Sequence, residues 1–476
     1  MLPRPPRSAR VVGGIPGWRD ALREAGIAVT DQGEGGPAPD LVVADRRSAR
    51  EALADGAGMV ILEGGSIPSA PAGLHVERYL PWPGPEAPEI LIPVDRPRAA
   101  RYAVREWTVP VRRWKRLRNH LLVQLLERRT VPPLRPLLSV GVDQPGPPYI
   151  VAAAAREFGL PAPLDWFVTL GEGDALTRGV FHLFAPGAAE PGWALKFART
   201  PGNTEPFERD ERSLELAREA GGPVAAHAPR LLGRLEVDGR PASLESAAVG
   251  RRMNLILRSP GDSRGKVRAI EAVAAWLLEV ARSTAAGPEA LGPELRRLAE
   301  GVLPRWRDAG VDLALAHGIG GVPAVFEHRD LGSWNVIAGS HGFTAVDWES
   351  SIRHGFPLWD ALYFLTDALA HLDGASPLER RPEYAARLHR GELPSSQLLF
   401  SWLRRIVDAL AIPVRAVGPL ATLCWLHHGL SHLSRRAAGQ SAASDASALP
   451  PYLDGIARRW LTDPALGPGW EAWRGS

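Results

Sequence analysis

The segment His328-Arg329-Asp330-Leu331-Gly332-Ser333-Trp334-Asn335, followed by Val346-Asp347-Trp348-Glu349, gathers the carboxylates of Asp330 and Asp347 and the carboxamide of Asn335 around one short loop. Asp347 follows an apolar mini-strand, Phe-Thr-Ala-Val, which should hold it in a fixed position. Phosphoryl transfer needs such a set: one carboxylate orients an acceptor hydroxyl and takes its proton, while a second carboxylate and an amide oxygen hold Mg2+ against nucleotide phosphates. Magnesium takes few protein ligands and prefers hard oxygen donors, which suits Asn335 with Asp347. His-x-Asp by itself occurs by chance. The spaced set of His328, Asp330, Asn335 and Asp347, with Asp360 beyond it, is much harder to obtain by accident. The competing reading is a polar loop whose acids cap helices and turns.

Such a loop also requires a cation upstream to bind the nucleotide phosphates, with a carboxylate to hold that cation in place. Of 56 basic residues only three are lysines, Lys115, Lys196 and Lys266. Lys196 sits inside the apolar strand pattern Ala194-Leu195-Lys196-Phe197. A charge there is expensive unless paired, and a compact ammonium is not replaced by a guanidinium. The helical segment 206–221 offers Glu211 as partner, with Glu208 next and Glu215 behind it. Gly171-Glu172-Gly173-Asp174 lies between two expected strands, where Gly171 and Gly173 would let the backbone approach phosphates. The two acids of that turn are expected to face solvent. Ser246 to Val249 would form a hinge whose backbone could bind adenine.

His-x-Asp, Asn five residues after the Asp and Asp-Trp-Glu a dozen residues later resemble the aminoglycoside-phosphotransferase and choline-kinase group. The block Phe356-Pro357-Leu358-Trp359-Asp360 is similar to a further segment of that family, and the likeness covers roughly residues 165–435. The resemblance implies a two-lobed protein-kinase-like α+β fold, Asp330 as base, and Asn335 and Asp347 as metal ligands. It also implies that His328 and Asp360 support the catalytic loop, Asp360 through backbone hydrogen bonds. Its cofactors would be ATP, with GTP left open, and Mg2+. Arg329 stands where these small-molecule kinases usually have Gly, and Trp334 adds bulk before Asn335. A protein kinase is disfavoured, because only a dozen residues separate Asp347 from Trp359-Asp360 and leave little platform for a peptide.

These residues need elements to position them. Residues 166–186 read as two strands around the Gly-containing turn, 193–199 as a third and 231–250 as two more; beyond about 265 the chain is mostly helical. Ahead of them, 10–14, 27–31, 40–45 and 58–64 read as strands alternating with helices 18–26 and 48–56, a small Rossmann-like α/β unit. The expected domains are therefore 1–95 (an accessory unit), 96–149 (a basic helical segment and linker), 150–250 (the N-lobe) and 251–476 (the helical C-lobe). Gly13 to Gly17 follows a strand and precedes a helix, but its spacing does not match a dinucleotide fingerprint. Residues 96–129 carry 11 Arg or Lys against two Glu. There Trp114, Leu117, Leu121 and Leu125 share a helix face expected to dock, opposite a solvated basic face of Arg113, Arg116 and His120 that could instead meet an anionic surface.

Composition is globular, and the net charge of +3 is too small to argue for nucleic acid. One cysteine and no run of about 18 apolar residues make a soluble, cytoplasmic protein the expectation. Residues 368–476 carry nine acids and twelve arginines, which gives no support to a polycationic acceptor. A neutral or anionic hydroxyl compound, such as a sugar or sugar-derived metabolite, fits better. The alternatives are a nucleotide-binding scaffold without turnover and an adaptor for an anionic polymer. His428 and His432 share a helix face as metal ligands can, but they read more simply as partly buried polar residues.

Overall fold

The computed structural model describes residues 2–15, 17–30, 38–54, 57–64, 74–84, 88–108, 113–128, 137–170, 178–439 and 452–474, with the side chains of 113–116, 118 and 431–439 excepted. The chain divides into two compact units, 1–208 with 229–249, and 209–228 with 250–476.

Short apolar runs bounded by Gly, Pro and Asp build the first unit. Its strands are β1 (Ser8–Val12), β2 (Ala28–Thr30), β3 (Leu41–Asp45), β4 (Met59–Glu63), β5 (His75–Trp82), β6 (Ile90–Pro93), β7 (Leu138–Val142), β8 (Asp165–Thr169), β9 (Gly179–Phe184), β10 (Trp193–Phe197), β11 (Leu231–Val237) and β12 (Arg240–Ser246). All twelve lie in one sheet, in the order β11-β12-β10-β9-β8-β6-β5-β7-β4-β3-β1-β2. The β4-β3-β1-β2 end is parallel, and the remaining pairs are antiparallel. Side chains alternate across it with the period of two that a strand imposes. Trp166 and Val168 join one apolar cluster while Phe167 joins another. Val42 and Val43 likewise pack on opposite faces, so the parallel strands read as unbroken apolar runs, as two-sided burial requires.

Two sequence expectations are corrected here. The division at residues 95 and 149 falls inside this sheet. β7, in the stretch taken for a linker, pairs with both β4 and β5, and β6 pairs with β8. Val140 and Val142 are buried there, a signal that the flanking prolines hide. The separate Rossmann-like unit is thus the parallel end of a larger mixed sheet. The second correction concerns the helix Arg113–Glu127. Leu117 and Leu121 are 64% and 54% exposed, whereas Asn119, Leu122, Val123 and Leu126 are buried. Asn119 sets this phase, because its amide donates to Thr108 O at 2.6 Å and to Thr108 Oγ1 at 2.9 Å. At about 100° per residue, the docked stripe lies well over a quarter-turn round the helix from the one expected.

The second unit is mainly helical. The helix Trp359–Leu372 is buried along nearly its whole length, which marks it as a central element rather than a surface one. Helices Ser263–Thr284, Ser396–Ala409 and Val414–Gly439 pack with it. Short strands β13 (Arg251–Arg252), β15 (Val336–Gly339) and β16 (Gly342–Ala345) form one small sheet, and β14 (Val325–Glu327) pairs with β17 (Ile352–Gly355). No described helix is long and apolar enough to cross a membrane.

The phase of the basic helix is testable. Leu126→Ala is expected to lower unfolding stability by about 2–5 kcal/mol, the usual cost of emptying a buried leucine site. Leu121→Ala should change it by less than about 0.5 kcal/mol. Denaturant melts of the two variants check this, and the reverse order would restore the face read from the sequence.

Candidate active site

Strand β14 ends at Glu327, and the loop that follows reverses sharply. Arg329 has φ 68°, Asp347 φ 66° and Leu358 φ 74°. Residues without glycine's freedom hold such angles only where the surroundings over-determine them. The determining contacts are visible. Asp360, near the start of the central helix, accepts His328 N–H at 2.7 Å through Oδ2 and Arg329 N–H at 2.9 Å through Oδ1. Burial pushes its carboxyl up to about 6, against the pull of those two N–H groups.

His328 ties the loop to the strand that delivers Asp347. Its Nε2 lies 3.1 Å from Val346 O and its Nδ1 lies 3.4 Å from Asp330 N. This pattern assigns the proton to Nε2, which donates, and leaves Nδ1 as acceptor. Burial depresses the imidazole to about 4, so the ring is neutral at pH 7. The ring also packs beside Trp348, 4.6 Å between centroids. Asn335 closes the loop from the other end. Its Nδ2 donates to Asp330 O at 2.8 Å and to Asp330 Oδ2 at 3.3 Å, which leaves the amide oxygen on the opposite edge of the group. Val346 N–H donates to Asn335 O at 2.8 Å. Asp330, Asn335 and Asp347 are therefore carried by two chain segments joined through His328–Val346 and Val346–Asn335. Carboxylate and amide oxygens are the donors a hard divalent cation takes, so the residues present fit Mg2+.

Trp334 does not crowd Asn335. Its indole lies over Gly332, where an added Cβ would come within 2.3 Å of the ring, and it meets Tyr363 edge-on at 5.9 Å. Arg329 is nearly buried and donates to Glu294 at 2.7 Å. The same Glu294 oxygen accepts Arg297 Nε at 2.7 Å. Beneath them Glu327 accepts Phe356 N–H at 3.0 Å, and burial pushes its carboxyl up to about 8.

In the first unit, Lys196 Nζ lies 2.6 Å from Glu245 Oε1. Glu245 opposes Ala194 on the neighbouring antiparallel strand, so it shares a face with Lys196 as a diagonal cross-strand neighbour. Glu211 and Glu215 lie in the helix Glu205–Ala220 within the second unit, while Glu208 closes the first. Gly171 and Gly173, with the acids between and after them, fall outside the described residues. Ser246 to Val249 end the first unit, and Ser246 Oγ accepts Arg230 N–H at 2.8 Å. At the N-terminal glycine turn, Asp45 accepts Gly14 N–H at 3.2 Å; a carboxylate already occupying that donor disfavours a phosphate there. His428 stacks flat on Tyr363, 3.9 Å between centroids. The described residues hold no cluster of three or more His, Cys, Asp or Glu suited to a metal.

Glu245, Glu294 and Glu327 escaped the sequence reading. Glu245 and Glu327 had a usable signal, a carboxylate inside an apolar strand pattern; Glu294 had none.

No protein-family model matches the chain, and no curated protein does. Solved structures do. An inferred aminoglycoside phosphotransferase from Ralstonia eutropha aligns at 14% identity and TM-score 0.41, covering 68% of this chain and 97% of that one. A type VIII aminoglycoside-3'-phosphotransferase aligns at 17% identity and TM-score 0.35, covering 58% and 98%. A glucosamine kinase aligns at 13% and TM-score 0.30, covering 63% and 93%. All three TM-scores lie below 0.5, and the functional reading rests on the chain's own residues.

The buried acids predict a pH dependence. Glu327 holds its proton more tightly when folded than when unfolded, so its contribution is complete below the ordinary carboxyl value and lost as pH rises through about 8. His328 acts with the opposite sign: its contribution is present above the ordinary histidine range and lost as pH falls toward 4. Glu327→Gln is expected to flatten the decline in stability between pH 5 and pH 8. Urea midpoints across that range check it, and an unchanged slope would exclude Glu327 as its source.

Proposed function

We propose that the chain is an ATP- and Mg2+-dependent phosphotransferase with a two-lobed, protein-kinase-like organisation, moving the γ-phosphate to a hydroxyl of a small molecule. The observation that carries this reading is the second unit's closed loop. In it Asp330 is hydrogen-bonded by Asn335, and both are tied to the Asp347 segment through His328 and Val346.

In this reading Asp330 orients the acceptor hydroxyl and takes its proton as the oxygen attacks. The Asn335 amide oxygen and the Asp347 carboxylate would hold Mg2+, which supplies charge neutralisation at the nucleotide phosphates. Asn335 also donates to Asp330, keeping the carboxylate turned in one direction before substrate arrives. The neutral His328 ring contributes no charge and acts by fixing distance. Lys196, oriented by Glu245, binds nucleotide phosphates; Glu211, Gly171 and Gly173 remain proposed members of the nucleotide site. Asp360 and His328 position the loop and do not touch substrate. A neutral or anionic acceptor, such as a sugar or sugar derivative, agrees with the arginine excess of residues 368–476.

ATP consumption by the wild type and by Asp330→Ala tests the reading. Removing a positioned base is expected to lower turnover by about 10²- to 10⁴-fold, read by coupled ADP detection over a panel of hydroxyl metabolites. Equal slow hydrolysis by both proteins would point to a scaffold without turnover.

A further inference from the structure

A second carboxylate on the central helix reaches the same loop. Asp367 follows Asp360 by seven residues, two helical turns, which returns it to nearly the same face. Ser333 N–H donates to Asp367 Oδ2 at 3.0 Å, and the Ser333 hydroxyl donates to the same oxygen. The other oxygen, Oδ1, accepts Arg381 Nη1 at 2.6 Å. Arg381 Nη2 then meets His371 Nε2 at 2.8 Å. The guanidinium can only donate, so His371 is neutral, with its proton on Nδ1 toward Ser376 Oγ at 3.1 Å. Ser333, Asp367, Arg381 and His371 are all less than 8% exposed. A small, partly open pocket lined by Tyr363, Asp367, Arg381 and Tyr452 lies beside the pair.

Arg381 and Asp367 could simply join helix Arg381–His389 to helix Trp359–Leu372. That role does not account for Ser333. Ser333 opens the turn Ser333–Asn335, two residues before the amide that faces Asp330. A buried ion pair carries a desolvation penalty that only good geometry offsets, and here one of its two carboxylate oxygens is given wholly to this turn. We propose that Asp367 is a positioning residue for the Asn335 end of the loop, with Arg381 as its counter-charge, while Asp360 positions the His328–Asp330 end. This rests on the phosphotransfer reading of the loop.

Hydrogen exchange on the full chain without nucleotide tests the brace by itself. The Asp367 carboxylate uses two acceptors, and an amide offers one. Asp367→Asn is therefore expected to lower amide protection in residues 331–336 by roughly 10- to 100-fold, the worth of a hydrogen bond to a charged group, while 328–329 stay protected. Asp360→Asn should show the converse. Ser333→Ala, which leaves the ion pair intact, should lower protection of 333–335 and keeps the test decisive if Asp367→Asn fails to fold. Loss spread evenly over helices Trp359–Leu372 and Arg381–His389, with no excess at 331–336, would overturn the proposal. So would unchanged protection in Ser333→Ala. In a second arm, Mg2+ titration of ATP turnover should show a half-saturating Mg2+ concentration raised about tenfold in Asp367→Asn, with the fall in maximal rate smaller than in Asp360→Asn. A wild type without turnover would count against the phosphotransferase reading, and the exchange result would still decide the brace.

Discussion

The loop 328–335 is held by two main-chain N–H groups that share one largely desolvated carboxylate. Burial pushes the Asp360 carboxyl up toward neutrality, yet it accepts from both His328 and Arg329. Those two bonds hold the backbone through the left-handed turn at Arg329, a conformation that costs about 1–3 kcal/mol without such support. The turn aims Asp330 back toward Asn335. The same reversal sends the His328 ring under the strand that leads to Asp347. Distance between the two acids is thus set by an uncharged ring and a main-chain carbonyl, neither of which titrates near pH 7.

Arg329 shows how a substitution in the middle of this loop is absorbed. A guanidinium there has to leave the loop face, and Glu294 draws it aside while also binding Arg297. The pair neutralises charge beneath the loop, where Glu327 and Asp360 are crowded together, and Glu327 responds by holding its proton. Buried acids close to one another cannot all ionise cheaply; the two arginines relieve part of that conflict and burial leaves the rest.

The sequence disclosed what a single short segment carries and little of what register decides. His328, Asp330, Asn335, Asp347 and Asp360 stand out because few residue types can do their work at those spacings. Glu245 stands out as a carboxylate in an apolar strand, but its pairing with Lys196 depends on how β10 and β12 align, which no local pattern reports. The docked face of Arg113–Glu127 was misjudged because leucines spread over about half of that helix's circumference, and the phase comes from Asn119 reaching Thr108. Strand β7 hid between prolines. Asp367 had a readable signal, an acid within an otherwise apolar helix at two turns from Asp360. Gly171 and Gly173 lie outside the described residues, so their expected part stands as the sequence left it.

The continuity of the twelve-stranded sheet limits how the chain can be divided. β8 meets β9 on one side and β6 on the other. A fragment starting near residue 150 would keep β8 through β12 but would strip the partner from β8 and uncover Phe167, which packs in the cluster with Leu80, Ile92 and Leu126. An open strand edge flanked by bare aromatic surface invites pairing with another copy. Strand β6 and the residues packed around Phe167 therefore act as the cover of that edge.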